Sequence, residues 1–89
     1  MAAPGDFVRG ADGAAVGRVE SVLRSASGER ILVARAFLRG GYAVLPASEV
    51  VAEEKDGEGL NWLTLDAGVG AVEVRGTFRR ALGHLTPDP

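Results

Sequence analysis

The chain has 89 residues, 46% of them apolar and 25% charged, with a net charge of −2. That is the balance of one ordinary globular domain near the small end of what folds alone, not of a disordered segment. The mild negative charge supplies no global field to recruit nucleic acid. The absence of cysteine excludes disulfides, thiolate metal sites and cysteine nucleophiles, and the lone His84 cannot build a histidine-rich metal site.

No apolar run approaches the roughly 20 residues that span a bilayer. The opening Met1-Ala2-Ala3-Pro4-Gly5-Asp6 has neither the basic region nor the apolar core of a signal peptide. Residues 1–4 are therefore expected to be an unordered start and the protein to be cytoplasmic. Its basic residues are nearly all Arg, with Lys55 the exception, and Ala, Gly and Val abound, the bias of a GC-rich microbial genome.

The first element is a hairpin. A short strand near 6–9 meets Asp12-Gly13 and returns as a longer strand over 15–25. Asp-Gly between apolar-containing runs is a strong hairpin signal, because Gly tolerates positive φ and Asp bonds its own backbone. Val16, Val19, Val22 and Leu23 also recur at helical spacing, so residues 14–25 admit a helical alternative. Gly17, the β-branched residues and the preceding turn favour the strand, and Gly17 is expected to mark a bulge that turns Val16 and Val19 inward together.

Further turn signals at Ser27-Gly28, Gly40-Gly41 and Asp56-Gly57 recur at intervals of about 13 to 16 residues. That suits strands joined by tight turns better than units with long helical crossovers. The runs between them predict strands over 29–39, 42–46, 49–54 and 60–66, with a seventh over 71–78 where Val72, Val74 and Phe78 alternate. Pro46 falls where a strand must end or turn an edge. The domain is expected to cover 5–78, leaving 79–89 as a tail with a frayed end, or one or two helical turns over 77–85 with Thr77 as cap.

The order of these signals resembles the PRC-barrel family. Gly5-x-Phe7-Val8-x-x-x-Asp12-Gly13-x-x-Val16-Gly17-x-Val19-x-x-Val22 is similar to its opening hairpin. Arg30-Ile31-Leu32-Val33 is similar to its second long strand, Val44-Leu45-Pro46-Ala47-Ser48-Glu49-Val50 to its aliphatic-Pro segment, and Leu60-Asn61-Trp62-Leu63-Thr64-Leu65-Asp66 to its closing strand. The resemblance covers 5–66. It implies an all-β fold, a small six- to seven-stranded β-barrel with a short C-terminal extension, in a stand-alone microbial member. The family also occurs in the cytoplasmic part of the photosynthetic reaction-centre H subunit and in a ribosome maturation factor that binds a small-subunit protein. This chain departs from both in lacking the membrane helix of the first and the additional N-terminal domain of the second. The resemblance implies an interaction or assembly module, with no catalytic residue or cofactor to transfer.

The chemistry-bearing residues agree with a binding role. Gly10-Ala11-Asp12-Gly13-Ala14-Ala15-Val16-Gly17 is glycine-rich but has no Walker lysine, and reads as a turn rather than a phosphate cradle. Asp12, Gly13, Gly17 and Pro46 are the chain's expected structural turn residues. Glu53, Glu54, Asp56 and Glu58 read as a solvated charged loop; their spacing is not that of an EF-hand. His84 has no partner nearby in sequence for acid–base work. Arg35 with Arg39, and Arg75 with Arg79 and Arg80, form small basic clusters suited to phosphates or an acidic partner. A ribosome- or RNA-associated role is the alternative function. Trp62, Tyr42 and Phe37 are expected in the core or at the barrel mouth, and as interface anchors if exposed.

Residues 29–39 are apolar on both faces: Ile31, Val33 and Phe37 on one, Leu32, Ala34, Ala36 and Leu38 on the other. A barrel covers one face only. A domain this small is also helped by self-association, so a homodimer is expected, with Leu32, Phe37, Leu38, Tyr42 and Val74 at the contact.

Overall fold

A computed structural model of the chain describes residues 1–37 and 40–68, the backbone of 74–75, and residues 86–87. The elements are β1 (Phe7–Arg9), β2 (Ala15–Arg24), β3 (Arg30–Ala36), β4 (Tyr42–Pro46), a 3-10 turn at Ala47–Glu49, β5 (Val50–Lys55), β6 (Asn61–Leu65), β7 (Val74–Arg75) and β8 (Thr86–Pro87). The chain is all-β. The strands form one mixed sheet in the order β5-β6-β1-β2-β3-β4-β7, with β8 added beside β2. Among the described residues its two ends do not pair, so the sheet is open rather than closed into a barrel. Every pairing is antiparallel except β1 with β6, which run parallel with Phe7 opposite Trp62.

Three hairpin loops share one construction. Gly13 N–H donates to Gly10 O (2.9 Å) and Gly10 N–H to Ala14 O (2.9 Å); Gly28 donates to Ser25 O and Ser25 to Glu29 O (both 2.9 Å); Gly59 donates to Asp56 O (3.1 Å) and Asp56 to Leu60 O (2.9 Å). Each is a three-residue loop whose last residue takes the left-handed conformation, with φ of 84°, 85° and 83° at Gly13, Gly28 and Gly59. Only glycine adopts that backbone without strain. In the third loop the requirement falls on Gly59, two residues past the expected Asp56-Gly57 turn.

The long strand β2 explains its own helix-like spacing. Its register slips twice, leaving Val16 as an extra residue against β1 and Glu20 as an extra residue against β3. Each bulge inserts one residue, so Val16, Val19 and Val22, three apart, all face the same side and are all buried. Gly17 lies within the strand and is not a turn residue, but it does mark the expected bulge, standing next to the extra residue Val16. It pairs with Val8 and Ala36, and a Cβ there would lie 2.2 Å from Arg35 O. Glycine is required because β3 approaches closely at that point.

The core is aliphatic and lies on one face of the sheet. Val8, Val19, Leu32, Ala34, Ala43, Leu45, Leu63 and Leu65 are each no more than 3% exposed and belong to one cluster, which Ala2 also joins. Fully burying a Leu or Val side chain contributes about 1.5–3 kcal/mol. Leu32 belongs to this core and not to an outward contact surface. Val33, on the other face of β3, is also fully buried within the single chain, so at that position β3 needs no second subunit to cover it.

The two termini differ from expectation. Residues 1–4 are anchored: Ala3 N–H donates to Asp6 Oδ2 (2.9 Å), Arg30 Nη2 donates to Ala2 O (2.8 Å), and the N-terminal ammonium lies 3.2 Å from Glu53 Oε1. At the other end, Thr86 and Pro87 pair with Arg24 and Leu23 rather than fraying. The reason is the length of β1. Its three residues cover only the first half of β2, which leaves the far half with open backbone groups that a passing segment satisfies. Pro46 is the last residue of β4, at φ −64° and ψ 140°, where the strand passes into the 3-10 turn. Of the seventh expected strand, Val74 and Arg75 pair with Ala43 and Tyr42; the rest of 71–78, and the helical alternative over 77–85, lie outside the described residues.

Candidate functional site

Because successive side chains on a strand point to opposite faces, the strands that bury Val8, Leu63, Ala34 and Ala43 must present their neighbours to the other side. The neighbours are Phe7 and Arg9 on β1, Trp62 and Thr64 on β6, Arg35 on β3 and Tyr42 on β4. The register aligns them. Glu54 stands opposite Trp62, Trp62 opposite Phe7, Phe7 opposite Arg18, Arg18 opposite Arg35, Arg35 opposite Tyr42, and Tyr42 opposite Arg75. From Glu54 to Tyr42, one row of acid, aromatic and arginine side chains thus lies on the face away from the core.

The row is tied together by ring and guanidinium contacts. Phe7 stacks on Trp62 with centroids 5.1 Å apart and meets Phe37 at 6.0 Å. Arg18 lies over the Phe7 ring at 5.4 Å, Arg9 over Trp62 at 5.8 Å, and Arg35 over Tyr42 at 5.8 Å. Arg18 and Arg35 are like charges directly opposite each other, an unfavourable pair; each is instead associated with the ring on its far side, where the π-face attracts it. Phe37 remains 46% exposed.

The three arginines differ in what neutralises them. Arg9 donates from Nε to Thr64 Oγ1 (2.9 Å) and from Nη2 to Glu54. Arg35 donates from Nε to Glu20 Oε1 (2.7 Å), and from Nη2 to the Tyr42 hydroxyl at 3.4 Å. The Glu20 hydrogen bond, then Tyr42, holds the Arg35 guanidinium above its ordinary pKa. Arg18 has only a long bond from Nε to Gly5 O (3.4 Å), and among the described residues no carboxylate pairs with it. Beside it is an open depression of about 420 Å³ lined by Pro4, Gly5, Arg18, Val19, Glu20 and Arg35. A second of about 300 Å³ lies between Arg35, Tyr42 and Gly40-Gly41.

The acidic segment is exposed throughout, and two of its carboxylates are also tied into the fold. Asp56 Oδ1 accepts from Glu58 N–H (2.8 Å) and Leu60 N–H (3.0 Å), and its Oδ2 accepts from Trp62 Nε1 (3.0 Å). The indole bond, followed by those amides, holds the Asp56 carboxyl below its ordinary range. Glu53 accepts from Asn61 Nδ2 (3.2 Å), which with the N-terminal ammonium lowers its carboxyl also. Among the described residues no group of three or more His, Cys, Asp or Glu is placed to hold a metal ion.

The expected interface residues are thus dispersed. Phe37 and Tyr42 are on the outer face, Leu32 is in the core, Val74 is placed only by its backbone opposite Ala43, and Leu38 lies outside the described residues. So do His84, Arg39, Arg79 and Arg80. Phe37, Trp62 and Tyr42 are not core residues: the first is exposed and the others are half-buried on the outer face. Sequence reasoning missed Phe7, Arg9, Arg18 and Glu20. The alternation Phe7-Val8-Arg9 was the available signal, but aligning it with Arg18 requires knowing the bulge at Val16.

No family model matches the chain, and no curated protein or solved structure matches it. Among the described residues no helix is long and apolar enough to cross a membrane.

Proposed function

We propose that this chain is a non-enzymatic interaction module that binds a protein partner through the outer face of its sheet. The observation that carries the reading is the aromatic and arginine row. Aromatic residues and arginine supply most of the energetic anchors at protein interfaces, and here they are gathered in register on one face, with Phe37 46% exposed. The membership suggested by the sequence belongs to the same reading: a PRC-barrel-like domain, whose closure would require β5 to meet the β4–β7 edge. Cross-strand NOEs between those edges test the closure. Self-association through Phe37 and Tyr42 is a further form of the proposal, and sedimentation equilibrium over a wide concentration range tests it.

The function itself is tested by affinity capture from native lysate, with and without nuclease, using the wild-type chain beside Phe37→Ser. A few partners are expected to survive nuclease and to be retained about tenfold less by the variant. No partner specific to the wild type would overturn the reading. Retention that nuclease abolishes would turn it toward the RNA-associated alternative.

A further inference from the structure

Resting on the interaction-module reading, we infer that the partner docks as an extended acidic segment, with one carboxylate on Arg18 and an apolar side chain against Phe37. Of Arg9, Arg18 and Arg35 on this face, Arg18 lacks a counter-ion among the described residues, while Arg9 and Arg35 are each held by a glutamate. It is exposed, and it borders the 420 Å³ depression that it shares with Arg35. A guanidinium offers a planar fork of donors that matches a carboxylate two-for-two. A carboxylate placed there would also screen the Arg18–Arg35 repulsion, which Glu20 relieves from the Arg35 side only.

The surroundings select the kind of anion. Glu54 closes one end of the row, Glu20 stands beside Arg35, and the whole chain carries −2. A continuous polyanion would meet these carboxylates, whereas a single spaced carboxylate fits between them. The second anchor is apolar: Phe37 is exposed just past the end of β3, and its ring lies 6.0 Å from the Phe7 ring that Arg18 covers. An extended segment repeats its facing every second residue, about 7 Å apart, so one segment reaches two anchors grouped on the Phe7 ring. The recognised pattern is therefore Asp or Glu, any residue, then an aromatic or aliphatic residue, read in either direction.

The test is a display selection of random short peptides on the full chain, followed by titration of the selected peptides. The pool is expected to be enriched in an acidic residue two positions from an apolar one. Replacing that acid by its amide, or Arg18 by Gln, should weaken binding about tenfold or more, the worth of a charged hydrogen-bonded pair. Arg18→Lys, which keeps the charge and loses the fork, should fall between, and circular dichroism checks that both variants stay folded. A pool without acidic enrichment, acidic peptides indifferent to Arg18→Gln, or tighter binding of a single-stranded thymidine oligonucleotide than of any selected peptide would each overturn the inference. If lysate capture still yields a partner while the selection fails, the docking chemistry falls and the interaction reading stands.

Discussion

The two faces of this sheet are made by the same strands, yet they obey different rules. The inner face is aliphatic and interchangeable in kind: Val8, Leu32, Leu45, Leu63 and Leu65 are buried because they are apolar and of fitting volume. The outer face consists of particular partners, Trp62 on Phe7, Arg18 over Phe7, Arg35 between Glu20 and Tyr42, and each contact depends on which residue stands opposite which. Loss of volume damages the first, and loss of alignment damages the second. The inner face therefore holds most of the stability, while the contacts of the outer face rest on register.

The comparison breaks most sharply at Leu32. Leu32→Ala is expected to cost about 2–5 kcal/mol in urea denaturation, from lost burial and the cavity left behind. A change below about 1 kcal/mol would mean that the inner face is not the close-packed side. Gly17→Ala comes next, because it forces the backbones of β2 and β3 apart at a point both faces share. A loss of about 1–3 kcal/mol is expected, as for other overpacking, together with amide shifts at Arg35 and Ala36 in NMR spectra. Gly13→Val probes the first hairpin loop without touching either face. Among the described residues no atom beyond its chain neighbours lies within 4 Å of a Cβ there, so the penalty is that of the left-handed backbone, on the order of 1 kcal/mol in a thermal melt.

Smaller effects sharpen the outer face. The Asp56 carboxyl is held below its ordinary value chiefly by Trp62 Nε1. A depressed folded-state value contributes stability that is present above the unfolded pKa and lost as pH falls through the folded one. Trp62 fluorescence should therefore stay constant on acidification through the ordinary carboxylate range and change only below it. Asp56→Asn should remove that acid transition; an unaltered acid profile would assign it to another carboxyl. The smallest expected effect is at Arg35. Arg35→Gln breaks an exposed ion pair, so its melting temperature should match wild type. A clear loss would show that the outer row also supports the fold.

Much of the scaffold was legible from local chemistry. Gly13 and Gly28 mark their hairpin loops because a left-handed loop position admits little else, and the strands between the turns follow from β-branched and aromatic runs of the right length. The strand over 42–46 was predicted with the bounds it has. Valines three apart along β2 could not be resolved by spacing alone, because two bulges convert a helical period into a one-sided strand.

By itself the sequence determined that the chain is all-β, that it turns at glycine-bearing loops, and that its Val and Leu runs form the core. These are properties of single residues and near neighbours, for which local backbone preference and hydrophobicity suffice. Only the tertiary structure decided that β1 lies parallel to β6, that Gly17 is the point where β3 approaches too closely for a side chain, that residues 1–4 and 86–87 are held against the sheet, and that Phe7, Trp62, Arg18, Arg35 and Tyr42 fall in one row. Each depends on pairing between segments up to 60 or so residues apart, and a one-residue slip in that pairing sends every side chain of a strand to the opposite face.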